Sequence, residues 1–185
     1  MISYFKINPQ GLELEGIFRK SASIDEENYI LEQLGMRNYD YLSTIENPYL
    51  VACLIKRFFY NLKVPLIPYD HYKRLVPNPE LANIKAVVKD LPKKNYLTLM
   101  FLMDFLKHDV ITKETQNKMG SYGIAVCFSQ SIMRAETQTE EALMHSKVLV
   151  TITNTLIVSF EEIFDDGEDR KNMMAKKLED QKRDF

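Results

Sequence analysis

Asn47-Pro48-Tyr49-Leu50-Val51-Ala52-Cys53-Leu54-Ile55-Lys56-Arg57-Phe58-Phe59-Tyr60-Asn61-Leu62 reads as one helix from its cap to its end. Asparagine suits an N-cap, and proline at the first helical position loses only an N–H that would have had no partner there. Leu50, Val51, Leu54, Ile55, Phe58, Phe59 and Leu62 then recur at the spacing of one helical face. Lys56, Arg57 and Tyr60 fall off that stripe, so they point either to solvent or to a partner. Pro65 and Pro68 end the helix and force an extended connection, with Leu66 and Ile67 filling an apolar slot on the way. Few glycines and little strict alternation leave small room for a sheet. The fold class expected is all-α, a compact multi-helix domain with short connections.

The flanking sequence extends the pattern in both directions. Ile2, Tyr4 and Phe5 place a helix at residues 2–8 that reads as the end of a longer, truncated one, broken by Pro9, Gln10 and Gly11. Ser23 with Glu26 three positions later has the form of a capping box, and Ile30, Leu31 and Leu34 follow at helical spacing, with Gly35 as the expected C-terminal cap. Residues 36–46 form a polar, tyrosine-rich connection. Pro68 opens a short helix through Tyr72 and Leu75, and another follows over 80–90. After Pro92, the apolar residues Tyr96, Leu97, Met100, Phe101, Phe105 and Leu106 make a stripe broad enough for a largely buried helix. Thr112 is the expected cap of a helix running to Asn117-Lys118-Met119. Gly120 and Gly123 interrupt helical propensity ahead of Ile124-Ala125-Val126-Cys127-Phe128, which predicts a kink or a close approach to another backbone. Thr139 caps a last long helix carrying Leu143, Val148, Ile152, Leu156 and Phe160. The expected domain is residues 1–165, followed by a charged tail over 166–185 that is solvated or continues as a helix.

Between the first helix and the capping box stands Glu15-Gly16-Ile17-Phe18-Arg19-Lys20-Ser21. Gly16 allows a sharp turn, Ile17 and Phe18 can anchor the segment, and Arg19 would then project from a fixed loop. A guanidinium so placed offers a rigid fork of donors to a phosphate or carboxylate. The same spacing also suits an ordinary turn with a surface arginine.

Composition narrows the function classes. The chain has 185 residues, 45% of them hydrophobic and 27% charged, with a net charge of -2, so nucleic acid is not the expected partner. No run of about 18 apolar residues occurs, so no membrane span is expected. The start lacks the apolar centre of a secretory signal, which favours a cytoplasmic setting. Cys53 and Cys127 lie in apolar runs and read as buried free thiols, while His71, His108 and His145 are too dispersed to suggest a metal site. No G-x-x-x-x-G-K-[ST] loop is present, so the chain is not itself a P-loop nucleotide hydrolase.

Four segments, in order across residues 10–160, resemble the RhoGAP domain family, all-helical modules that accelerate GTP hydrolysis by Rho-family small GTPases. Glu15 to Ser21 is similar to the family's G-I-F-R-x-S loop. Leu54-Ile55-Lys56-Arg57-Phe58-Phe59 with Leu62, Pro65 and Leu66 resembles its L-L-K helix. Leu91-Pro92-Lys93-Lys94-Asn95-Tyr96 resembles its L-P-x-x-N helix, and Asn117-Lys118-Met119 with Ala125 and Phe128 its N-K-M segment. The resemblance implies that Arg19 is a catalytic arginine finger. It implies that Gly16, Lys20, Ser21, Lys56, Tyr60, Asn117, Lys118 and Gly123 bind the GTPase or support the loop. The partner would be a GTP-bound Rho-family GTPase that brings the GTP and magnesium. The chain would need no cofactor or metal, act as a monomer without being an enzyme alone, and reach membranes through regions outside this sequence. The chain departs from the family at Tyr60, where an arginine is common, at Gly123, where an asparagine helps hold the GTPase, and at Gln130, where a proline is usual. Those departures leave a second expectation, a GAP-like module that binds a GTPase or another partner with weak or no activation.

Overall fold

The two helix-start signals that follow the arginine-bearing loop, Ser23 and Asn47, act where the sequence places them. Ser23 Oγ accepts the Glu26 N–H at 3.4 Å and opens α2, Ile24–Gly35; Asn47 Oδ1 accepts the Tyr49 N–H at 3.1 Å and opens α3, Pro48–Tyr60. The computed structural model describes residues 1–137, 139–164, 171–172 and 175, without the side chains of Tyr39, Ser43 and Glu141. Nearly all of the tail expected over 166–185 therefore lies outside the described residues. Around α2 and α3 the chain forms α1 (Ile2–Ile7), α4 (Tyr69–Leu75), α5 (Leu81–Lys89), α6 (Lys93–Phe105), α7 (Glu114–Asn117), α8 (Ser121–Ile132), α9 (Glu140–Met144), α10 (Ser146–Val158) and α11 (Phe160–Ile163). Tighter 3-10 turns span Pro9–Glu13, Tyr39–Thr44 and Ile111–Lys113, and a π turn spans Leu106–Val110. No strand forms among the described residues, and the protein is all-α.

Helix α8 is the centre of the packing, with α3 on one side and α10 on the other. At its inner end Phe18 from the loop meets Phe128 of α8 at 5.2 Å between ring centroids, Phe5 of α1 at 6.1 Å and Phe105 of α6 at 6.3 Å. Burying one such ring contributes about 1.5–3 kcal/mol. This cluster therefore fixes the loop to three helices at once. Asn95 Nδ2 donates to the Leu66 carbonyl at 2.8 Å and ties α6 to the extended connection, where Leu66 and Ile67 are buried as expected.

Several local expectations are corrected. Gly35 does not cap α2; the left-handed residue is Arg37, with φ 61°. The Arg37 N–H donates to Leu34 and the Asn38 N–H to Gln33, both at 3.0 Å, the bond pair of a Schellman ending displaced two residues past the glycine. Phe58 shares the angular position of the buried stripe of α3 yet is 46% exposed, while Phe59 in the same turn is buried, so the cover over this last turn lies on the Phe59 side. Leu97 stands at the exposed edge of α6. Thr112 caps nothing: it lies within a 3-10 turn, its hydroxyl donating back to the His108 and Asp109 carbonyls. Thr139 does cap, through a 3.1 Å bond from the Ala142 N–H, but the helix it opens is the short α9, and Leu143 is exposed. At the Gly120–Gly123 pair, Gly120 is the N-cap of α8, so the interruption falls before the helix. A Cβ on Gly120 would meet Glu114 Oε1 at 2.5 Å, the movable end of a side chain and not the second backbone that was expected.

Candidate functional site

The loop at Gly16–Ser21 reverses direction through two left-handed residues, Gly16 at φ 74° and Phe18 at φ 68°. Gly16 takes this conformation without a side-chain penalty, whereas phenylalanine in it costs about 1–2 kcal/mol. The conformation serves a clear geometric purpose. Ile17 and Phe18 are fully buried, and the backbone then leads Arg19 and Lys20 straight out to solvent. The turn closes on the Gly16 carbonyl, which accepts the N–H groups of Arg19 at 2.9 Å and Lys20 at 2.8 Å.

Two helices hold the strained turn. Lys56 of α3 donates its Nζ to the Phe18 carbonyl at 2.5 Å, so its ammonium serves the backbone of the residue in the unfavourable conformation. Tyr49 on the same face of α3 donates its hydroxyl to the Glu15 carbonyl at 2.9 Å, and Lys20 Nζ stands 5.7 Å over the Tyr49 ring. From α7, the Asn117 carbonyl accepts the Gly16 N–H at 2.7 Å. The fully buried side chain of Asn117 donates to the carbonyls of Leu12 at 2.9 Å and Val110 at 3.0 Å and accepts the Met119 N–H at 2.8 Å. Lys118 follows in the left-handed region, its Nζ on the Thr115 carbonyl at 2.7 Å.

Arg19 itself is exposed, and its guanidinium has no hydrogen bond or ion pair among the described residues. It rests over the glycine turn: a Cβ on Gly16 would lie 3.2 Å from Arg19 Nη2. Beside it a groove of about 340 Å³ runs between α3 and α8, lined by Ser21, Glu27, Lys56, Tyr60, Cys127 and Ser131. Cys53 and Cys127 are both free thiols; Cys53 is buried as expected, whereas Cys127 is only half-buried at the groove. Burial pushes both thiols up, with Lys56 opposing the shift at each and Arg19 also opposing it at Cys127.

The site residues expected from sequence thus divide by what they touch. Gly16, Lys56 and Asn117 support the loop, Lys20 flanks it, and Ser21 and Tyr60 line the groove. Lys118 caps α7, and Gly123 sits half-exposed in the first turn of α8 with nothing nearer its missing Cβ than Met119 Cε at 3.7 Å. Two participants were not among the expected residues. Tyr49 lies seven residues before Lys56, hence on the same helical face, and that spacing is the signal that points to it. Arg134, which packs on Tyr60, follows the end of α8 and has no local signature.

An all-α domain with this helix order, projecting an arginine from a braced loop, is RhoGAP-like in class. A family model described as the RhoGAP domain matches residues 3–137, and the chain belongs to that family. It is 28% identical over 173 residues to Rho GTPase-activating protein 15 of Rattus norvegicus, covering 88% of this chain and 36% of that protein. To Rho GTPase-activating protein gacN of Dictyostelium discoideum it is 28% identical over 175 residues, 89% of this chain and 28% of that protein. The chain thus spans about a third of the length of these relatives. The crystal structure of human Rho GTPase activating protein 15 superposes with a TM-score of 0.76 at 23% identity, over 87% of this chain and 80% of that one. The BH domain from GRAF, the GTPase regulator associated with focal adhesion kinase, gives 0.72 at 21% identity, over 89% and 91%. At these identities the two structures speak to the fold.

Proposed function

We propose that this chain accelerates GTP hydrolysis by a Rho-family small GTPase, inserting Arg19 in trans into the partner's nucleotide site. The observation that carries this is an exposed arginine free of side-chain partners on a loop whose left-handed residues, Phe18 and Gly16, are held by Lys56 and by the Asn117 carbonyl. GTP hydrolysis accumulates charge around the transferred phosphoryl group, and a guanidinium stabilises it there. Fingers of this kind are worth about 10³–10⁵ in rate, or about 4–7 kcal/mol of barrier. Holding the loop in advance means that little ordering remains to be done at the moment of reaction. The chain performs no chemistry alone, because the partner brings the nucleotide, the magnesium and the attacking water. The expected unit, residues 1–165, would include α9 to α11, and the packing of α10 along α8 supports that reading. Among the described residues no helix is long and apolar enough to cross a membrane, and no cluster could hold a metal ion.

Mixing the chain with GTP-loaded Rho-, Rac- and Cdc-type GTPases should accelerate phosphate release from at least one by 100-fold or more, about the lower part of the finger range. Stimulation of none overturns the proposal. A second reading, a module that binds without activating, is favoured by Gly123, which carries no side chain where the family has an asparagine. Binding to the GDP–metal fluoride form of the GTPase separates the two. Selective binding that requires Arg19 supports the activator, and equal binding to all nucleotide states supports the module.

Gly123 also carries a prediction of its own. The open space over it admits a side chain, and replacing a glycine within a helix gains a few tenths of a kcal/mol, about what propensity differences give. Gly123→Asn would add an amide facing the partner. One such hydrogen bond, about 0.5–1.5 kcal/mol, should lower KM for the GTPase about 3- to 10-fold with kcat unchanged. Steady-state phosphate release against GTPase concentration checks it, and an unchanged or higher KM counts against a contact at this position.

A further inference from the structure

Most cations around the groove already have work within the chain. Lys56 is on the Phe18 carbonyl and Lys20 is over Tyr49, while Arg57 pairs with Glu27 at 3.3 Å and Asn28 at 2.7 Å. Arg134 differs. Its Nη2 donates to the Leu62 carbonyl at 2.6 Å and its Cζ stands 5.3 Å over the ring of Tyr60. Its Nη1 is buried and finds no acceptor among the described residues. A carbonyl from the end of α3 and an aromatic face therefore fix the plane of a guanidinium that still has donors to give. Tyr60 is 51% exposed and lines the groove between α3 and α8 together with Ser21, two residues after Arg19.

We propose that Arg134 is a second partner-reading arginine, which receives a carboxylate from an acidic side chain of the GTPase at the end of the groove away from Arg19. This rests on the GTPase-activating reading above and extends it. The chemistry selects a carboxylate because a planar fork with spare N–H groups matches two carboxyl oxygens in parallel, and the cationic rim favours an anion. A tyrosine packed on an arginine is also the composition of an energetic anchor in an interface. Nη1 is covered in the free protein, so the carboxylate reaches it as the side chains over it shift on binding. An ion pair in this place adds affinity and register. The rate of the bound complex stays with Arg19, so Arg134 is a positioning residue.

The test is stimulated GTP hydrolysis against GTPase concentration for the parent, Arg134→Ala, Arg134→Gln and Arg134→Lys, with a thermal melt of each. Arg134→Ala and Arg134→Gln should both raise KM about 10- to 100-fold, the range for a hydrogen bond to a charged group, and leave kcat within about twofold. Arg134→Lys keeps the charge without the fork and should fall between them and the parent. Glutamine retains a donor for the Leu62 carbonyl, so it covers the case in which alanine unfolds the end of α8. A KM for Arg134→Gln within about twofold of the parent overturns the proposal, whatever alanine does, since the role is then only structural. A parent that stimulates no GTPase sinks this inference together with the reading it rests on. An active parent with indifferent variants sinks this inference alone.

Discussion

Replacing Arg19 with alanine will cut the stimulated rate by about 10³-fold or more, while the domain melts at the temperature of the parent. The two halves of this result follow from one structural fact. The Arg19 side chain is exposed and has no hydrogen bond or ion pair among the described residues, so its removal leaves no buried group unsatisfied. Its N–H bond to the Gly16 carbonyl belongs to the backbone and survives in alanine. The turn is held by Phe18 in the core and by Lys56 and Asn117, none of which the substitution touches. Arg19→Lys is the sharper variant. It keeps the charge but loses the planar fork that can bond a phosphoryl oxygen and a neighbouring carbonyl together, so it should recover little of the lost rate. Single-turnover hydrolysis with the domain in saturating excess isolates kcat from binding. A rate for Arg19→Ala within about tenfold of the parent would remove the finger from the mechanism.

Helix α3 was legible because its information is local: cap, proline and stripe lie within sixteen consecutive residues, and the cap, the proline and all of the stripe within the helix except Phe58 act as expected. Phe58 departs from the expectation because periodicity gives the angle of a side chain around its helix and says nothing of which side of a given turn its neighbours cover. Gly35 was misread for a related reason, since Arg37 shows that an ending with the right bonds can form around a residue other than glycine. At the site, the projection of Arg19 could be read from two apolar residues followed by two cations. The means of holding it could not, because each brace joins residues far apart in the chain: Lys56 to Phe18, Tyr49 to Glu15, Asn117 to Leu12. Family resemblance marked Lys56 and Asn117 as important without saying which way they face. The structure turns both toward the loop, and Asn117 is wholly inside. The Arg134–Tyr60 contact is the extreme case, a pairing between the end of α3 and the end of α8 with no pattern in either.

The largest loss of stability is expected at Asn117. Asparagine is unusual in a core, and here its amide joins three separate backbone groups: the carbonyls of Leu12 and Val110 and the N–H of Met119. Alanine would strand all three out of water. A buried polar group left without a partner costs about 1–3 kcal/mol, and the three losses will not add fully because the chain relaxes. About 3–5 kcal/mol is the expected total, in the range of other broken buried networks. For a chain of this size that lowers Tm by roughly 10 °C, at about 2–4 °C per kcal/mol. Asn117→Asp has nearly the same shape but, when ionised, turns two donors into acceptors facing carbonyls, so at neutral pH it should be no better than alanine. The activity loss should differ in kind from that of Arg19→Ala. Leu12 and Gly16 are both joined to this residue, through the side chain at Leu12 and the backbone at Gly16, so releasing one end lets the strained turn relax toward conformations in which Arg19 points elsewhere. Well below its Tm, folded Asn117→Ala should keep the finger and still show a kcat reduced about tenfold or more, as misplacement of a catalytic group does. Urea unfolding and single-turnover rates at one low temperature measure the two effects apart. A variant as stable as the parent would show that the amide is not the tie between α7 and the loop.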